Sequence, residues 1–167
     1  MIHFRKATSI DNDFDAHNSL GLILVSQGKL DEGIGPFRES VRVNPNNDEA
    51  YYNMGNALAY QGKMAEAAAC FREVVRINPL SARSHNNLGY ALTFLGKEEE
   101  AAAQFRAAIR LKQDEASTYV NLGNALLRVN KTDEAIASYK EALRLNPRLT
   151  IAEHNLKILL AQQRKTH

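Results

Sequence analysis

Apolar and small residues recur along the chain at the i, i+3, i+4, i+7 spacing of one helix face, as in Tyr51, Met54, Gly55 and Leu58. A polar break, Gln61-Gly62-Lys63, ends that stripe, and a second amphipathic stretch follows. The unit then repeats at a step of 34 residues. Gly21, Gly55, Gly89 and Gly123 share one phase, preceded by Leu20, Met54, Leu88 and Leu122. Phe37, Phe71, Phe105 and Tyr139 follow sixteen residues behind each glycine. Pro45, Pro79 and Pro147 share another phase, with Gln113 in the missing slot. Neither helix of such a pair buries its apolar side alone, so the period predicts stacked helix pairs. Chains of this kind usually display a binding surface and perform no chemistry.

The frames run 14–47, 48–81, 82–115 and 116–149. Gly28, Gly62, Gly96 and Asn130 stand where a left-handed residue would close the first helix of each pair. The second helices open on acidic residues (Glu32, Glu66, Glu100, Glu134) and end on basic ones (Arg42, Arg76, Arg110, Arg144), which suits the helix dipole. The prolines then stop them. Gly55 and Ala67 are expected to let two backbones approach, with Phe71 filling the space beneath. Gly33, Gly35 and Pro36 weaken the second helix of the first frame, which is expected to start late, near Pro36, or to be distorted there.

The run Tyr51-Tyr52-x-Met54-Gly55-x-x-Leu58, with Gly62, Ala67, Phe71 and Pro79, resembles the tetratricopeptide repeat. The resemblance covers four full copies, residues 14–149. It departs at His17 and His85, where the family has a bulky aromatic, and at Gly33, which replaces the small residue of the second helix. It implies an all-α fold, a right-handed α-solenoid of antiparallel helix pairs, in a single domain over residues 1–167. Residues 4–10, one residue out of step, resemble the second half of a repeat. Residues 1–13 are therefore expected to form a lone N-terminal helix over the first repeat's apolar flank. That suggests either a fragment of a longer array, a contact with another chain, or a short natural cap. Residues 150–167 read as a C-terminal capping helix, with Ala152, Leu156, Leu159 and Leu160 repeating the core stripe.

In this family the first helices line a concave groove. Carried over by phase, that surface selects Asn53, Asn87 and Asn121, with Ser19 and Asn155 at the same position, and adds Asn56 and Asn124. Each amide offers two donors and an acceptor, matching the alternating groups of an extended peptide backbone. The row resembles the asparagine row in the repeat domain of O-linked N-acetylglucosamine transferases. Asparagine also suits any polar helix face, and repeat duplication copies residues without selection. Tyr52 and Tyr90 add apolar area with a polar tip; Tyr60 and Phe94 join them or pack between helices. Asp15 and Glu49 lie early and Arg83 and Arg128 late, so the ligand is expected to place its basic end toward the N-terminus. The carboxylate clamp of the chaperone-binding members cannot be completed here: Asn56, Asn87 and Arg83 match parts of it, while Leu22, Ser117 and Asn121 stand where other elements belong.

Composition narrows the partner. The 167 residues carry 21 basic and 19 acidic side chains, a balance that points to neither nucleic acid nor an anionic membrane surface. The arginine row of the second helices reads as dipole compensation and as pairs with Glu39, Glu73 and Glu141, three residues before their arginines. The five histidines are too scattered for a zinc set, and the single cysteine, Cys70, has no histidine at helical spacing. Glu98-Glu99-Glu100 reads as a dipole-matched helix start. No catalytic residue, cofactor or metal is expected. The reading is a non-enzymatic, cytoplasmic module binding a protein or peptide, without direct membrane contact. Two alternatives stay open: the targeting portion of a larger enzyme such as a glycosyltransferase, and self-association through Ile2, Phe4 and Ile10.

Overall fold

The computed structural model describes residues 3–112 and 114–164, with side chains from residue 13 onward. Among the described residues the regular structure is all α-helical. The helices fall into two compact units, residues 1–79 and 80–167. The first unit holds α1 (His3–Ser26), α2 (Leu30–Val43), α3 (Asp48–Tyr60) and α4 (Met64–Ile77). The second holds α5 (Ala82–Phe94), α6 (Glu98–Leu111), α7 (Ala116–Arg128), α8 (Thr132–Leu145) and α9 (Thr150–Gln163). Within each unit, three-residue breaks fold successive helices back as antiparallel pairs.

The breaks share one closing device. In α3–α4, Lys63 N–H bonds Leu58 C=O at 2.9 Å and Gly62 N–H bonds Ala59 C=O at 2.9 Å. This is the Schellman pattern, which satisfies carbonyls that a helix end leaves without partners. The central residue must be left-handed, and Gly28, Gly62 and Gly96 have φ of 79°, 75° and 70°. Asn130 takes the same role at φ 60°, which its short polar side chain tolerates.

The four in-phase glycines each face an aromatic ring of the second helix, as expected of Phe71 beneath Gly55. A Cβ on Gly55 would lie 2.8 Å from the Phe71 ring, and one on Gly123 2.8 Å from the Tyr139 ring. Gly21 and Gly89 face Phe37 and Phe105 in the same way. Each glycine is thus a seat for the aromatic ring of its paired helix. The four rings are buried, and each contributes about 1.5–3 kcal/mol by leaving water.

Two expectations are corrected. Helix α2 is regular from Leu30, not from Pro36. Its Gly33 is needed for packing, because a Cβ there would meet Val25 Cγ2 at 2.7 Å and the Gly21 carbonyl oxygen at 3.0 Å. Ile34 and Phe37 are buried on the same face. Their burial, about 1.5–3 kcal/mol each, offsets the roughly 3 kcal/mol of an internal proline. The lone helix expected over residues 1–13 is likewise not separate. From His3 onward these residues continue into the first repeat as α1, since no glycine or proline interrupts the run before Gly21. The side chains of Ile2, Phe4 and Ile10, on which the self-association reading rests, lie outside the described residues.

Polar groups pin the helices where the core cannot. In the first unit, Ser40 Oγ donates to the Phe14 carbonyl at 2.8 Å and accepts from Asn47 Nδ2 at 3.0 Å. Asn47 Oδ1 in turn caps α3 by accepting from Ala50 N–H at 3.1 Å. On the outside, the expected arginine pairs form: Glu39 with Arg42, Glu73 with Arg76 and Glu141 with Arg144.

Candidate functional site

The groove residues expected from the sequence lie on the first helices of both units. On the unit of residues 1–79, the Asn53 side chain of α3 is half-buried, and its Nδ2 donates to Asn18 Oδ1 at 3.1 Å. Asn18 is buried on α1 and was not singled out from the sequence, although it lies on the same selected face. Asn56 and Tyr52 are half-buried, while Glu49 is exposed. The Tyr52 ring packs 6.1 Å from Phe71, tilted by 60°, so part of it belongs to the core. Tyr60 is exposed.

On the unit of residues 80–167, the structure brings four of the expected residues to one cleft. Tyr90 on α5 and Asn121, Asn124 and Arg128 on α7 line a space of about 120 Å³. Thr93, Glu98 and Phe105 complete most of its wall. Arg83, which is exposed, and Asn87, which is half-buried, lie on α5 outside this lining. The Tyr90 ring is exposed and packs on Phe94 with centroids 4.9 Å apart.

The amides in this cleft divide by role. Asn124 Oδ1 accepts from Tyr139 Oη at 2.6 Å and from Asn155 Nδ2 at 3.3 Å. Tyr139 is fully buried, so its hydroxyl needs this acceptor. Asn124 and Asn155 are therefore partly committed to the scaffold. Asn121 is half-buried in the same wall, and its amide makes no hydrogen bond among the described residues.

Glu98 is the residue that sequence reasoning missed. It stands first in α6, in a run that reads as ordinary dipole matching, yet it is buried. Arg128 Nη1 donates to its Oε1 at 2.8 Å. Its Oε2 is shielded from solvent and has no hydrogen-bond partner among the described residues. The signal lay in the phase: Leu30, Met64 and Thr132 occupy the equivalent positions, none of them charged. Arg128, one of the late basic residues of the expected groove, is engaged by this carboxylate.

Other candidate chemistry finds no site. His85 is buried with Nδ1 2.8 Å from Gln104 Oε1, a satisfied packing histidine. His17 is half-buried, 3.5 Å from Asp13. Cys70 is buried, and desolvation pushes its thiol up to about 11, which disfavours the reactive thiolate. Among the described residues no group of histidine, cysteine and carboxylate side chains could hold a metal. No described helix is long and apolar enough to cross a membrane.

Comparison with known proteins accounts for the fold. Models described as "Tetratricopeptide repeat" match residues 52–116 and 116–149, and one described as "TPR repeat" matches residues 21–62. Together they run without a gap from residue 21 to residue 149. No curated protein matches the sequence. Solved structures do match. MamA 41-end from Desulfovibrio magneticus RS-1 is 20% identical with a TM-score of 0.84, over 90% of this chain and 85% of that one. YrrB, described as a TPR protein with an unusual peptide-binding site, is 21% identical with a TM-score of 0.83, over 96% and 84%. The first TPR of Spaghetti (RPAP3), bound to the HSP90 peptide SRMEEVD, is 24% identical with a TM-score of 0.67, over 70% and 92%. At these identities the likeness is one of fold: antiparallel helix pairs stacked as an α-solenoid.

Proposed function

Because the chain belongs to the tetratricopeptide repeat family, we propose that it is a non-catalytic interaction module whose first helices hold an extended segment of another protein. The observation that carries this reading is the half-buried Asn121 amide, which has no hydrogen-bond partner among the described residues and lines a cleft beside Tyr90 and Thr93. The amide stays open to solvent, so a ligand that supplies a backbone N–H and C=O pairs with it without breaking an internal bond. Asn53 and Asn87 stand at the equivalent position of their own helices and add amides to the same row, Asn53 sharing its Nδ2 with Asn18. Asn124 and Asn155 contribute less, being held by Tyr139. Two matched relatives support a peptide ligand by their own descriptions, YrrB with its peptide-binding site and RPAP3 with its bound heptapeptide.

The test uses peptides selected from a random display library on the intact protein. Asn121→Ala should weaken their binding about fivefold or more, the worth of one lost hydrogen bond to a buried partner. The triple variant Asn53→Ala, Asn87→Ala, Asn121→Ala should weaken it further, with helical circular dichroism unchanged. Affinity that survives the triple variant intact overturns the reading.

A further inference from the structure

Resting on the peptide-binding reading above, we propose that the cleft on the unit of residues 80–167 receives one basic side chain of the bound peptide, a lysine or arginine, with Glu98 as its counter-charge. Four observations converge on this. Glu98 is only 8% exposed, and its Oε2 lacks any donor among the described residues. A buried acceptor of this kind is rare in a native protein and is normally met by a partner. Its equivalents Leu30 and Met64 are apolar, so packing at this phase does not require a carboxylate. Asn121, Thr93 and Tyr90, whose side chains each carry an oxygen able to accept, line the same cleft. An ammonium or guanidinium supplies donors only, which suits that set.

Arg128 already shows how a cation meets this carboxylate. Its guanidinium binds Oε1, while its side chain remains 65% exposed. The guanidinium takes only Oε1 and approaches from the solvent side, so a second cation is admitted to Oε2 without stripping the buried carboxylate of its first partner. The apolar stem of the incoming residue would lie against Tyr90 and Phe105, and the Tyr90 face adds attraction for the charge.

The experiment selects random dodecapeptides on the intact protein and synthesises the best binders with each basic residue replaced by a neutral isostere, norleucine for lysine and citrulline for arginine. On the wild type, one such exchange should cost about tenfold or more in affinity. On Glu98→Gln, and on Glu98→Met, which restores the side chain of the equivalent position 64, the same exchange should cost less than about threefold. Cooperative melting at or above the wild-type midpoint shows that the variants fold. Selected peptides without a sensitive basic position, or an equal loss on wild type and variants, overturn the Glu98 assignment and leave the peptide-binding reading standing. Failure to select any peptide on the wild type overturns both.

Discussion

The second helix of a pair begins with an apolar residue in the first unit, Leu30 in α2 and Met64 in α4, and with the buried Glu98 at the same point of α6 in the second. The backbone around all three is the same: a Schellman break, then an acidic first turn. The side chain that crosses to this corner also changes. Tyr60 projects into solvent in the first unit, whereas Arg128 reaches Glu98 in the second. A carboxylate appears where the repeat accepts a methionine, and one of its oxygens goes unmet. The difference separates what the scaffold requires from what this chain has added to it.

The scaffold side of the comparison carries the largest expected effect. Phe71→Ala empties the seat beneath Gly55, and Phe105→Ala empties the equivalent seat beneath Gly89. Each should cost about 3–5 kcal/mol in urea or guanidinium denaturation. A loss for Phe105→Ala less than half that for Phe71→Ala would show that the two units do not share one packing logic. Exchange at the distinctive corner comes next. Glu98→Met should raise stability by about 1 kcal/mol or more, because it removes a half-satisfied buried carboxylate and leaves Arg128 in water. Leu30→Glu should lower it by about 1–3 kcal/mol, with Tyr60 rather than an arginine at the matching position to answer it. A loss of stability in Glu98→Met would make the carboxylate a structural element and dissolve the contrast.

The smallest effect reports on the first unit alone. Cys70 lies in α4, and burial holds its thiol at about 11 against an ordinary value of 9.0. Its neutral form is favoured by folding, so this contribution to stability is complete below pH 9 and is lost as the pH rises through about 11. Alkylation by iodoacetamide at neutral pH should be slow in the native protein and become fast on unfolding. Fast labelling of the folded chain would mean that α4 is not closed over this thiol.

Much of the fold was legible because its signals are local and repeated. Gly62 with its neighbours announces a left-handed helix end, and Phe71 sixteen residues behind Gly55 announces a paired ring. What failed depended on a balance between local and tertiary terms. Pro36 and its flanking glycines argue against a helix, yet Ile34 and Phe37 bury well enough to impose one. At the N-terminus the half-repeat pattern suggested a separate helix, but no breaking residue was present to separate it. The candidate site was legible as a face and not as a set of bonds. The phase of Asn121 and Asn124 put both on one wall; only the coordinates distinguish Asn124, held by the Tyr139 hydroxyl, from Asn121. Glu98 was hidden among three consecutive glutamates. Its burial is visible only when the position is read against Leu30 and Met64.

The hydroxyl of Tyr139 limits how freely these units can be exchanged by design. A block carrying phenylalanine at that seat makes no demand on what surrounds it, whereas the block 116–149 carries a buried polar atom that uses Asn124 within the block and Asn155 beyond it. Grafted elsewhere in an engineered array, it takes its Asn124 acceptor along but leaves the Asn155 donor behind, a contact that the next helix must replace or that a Tyr139→Phe change makes unnecessary.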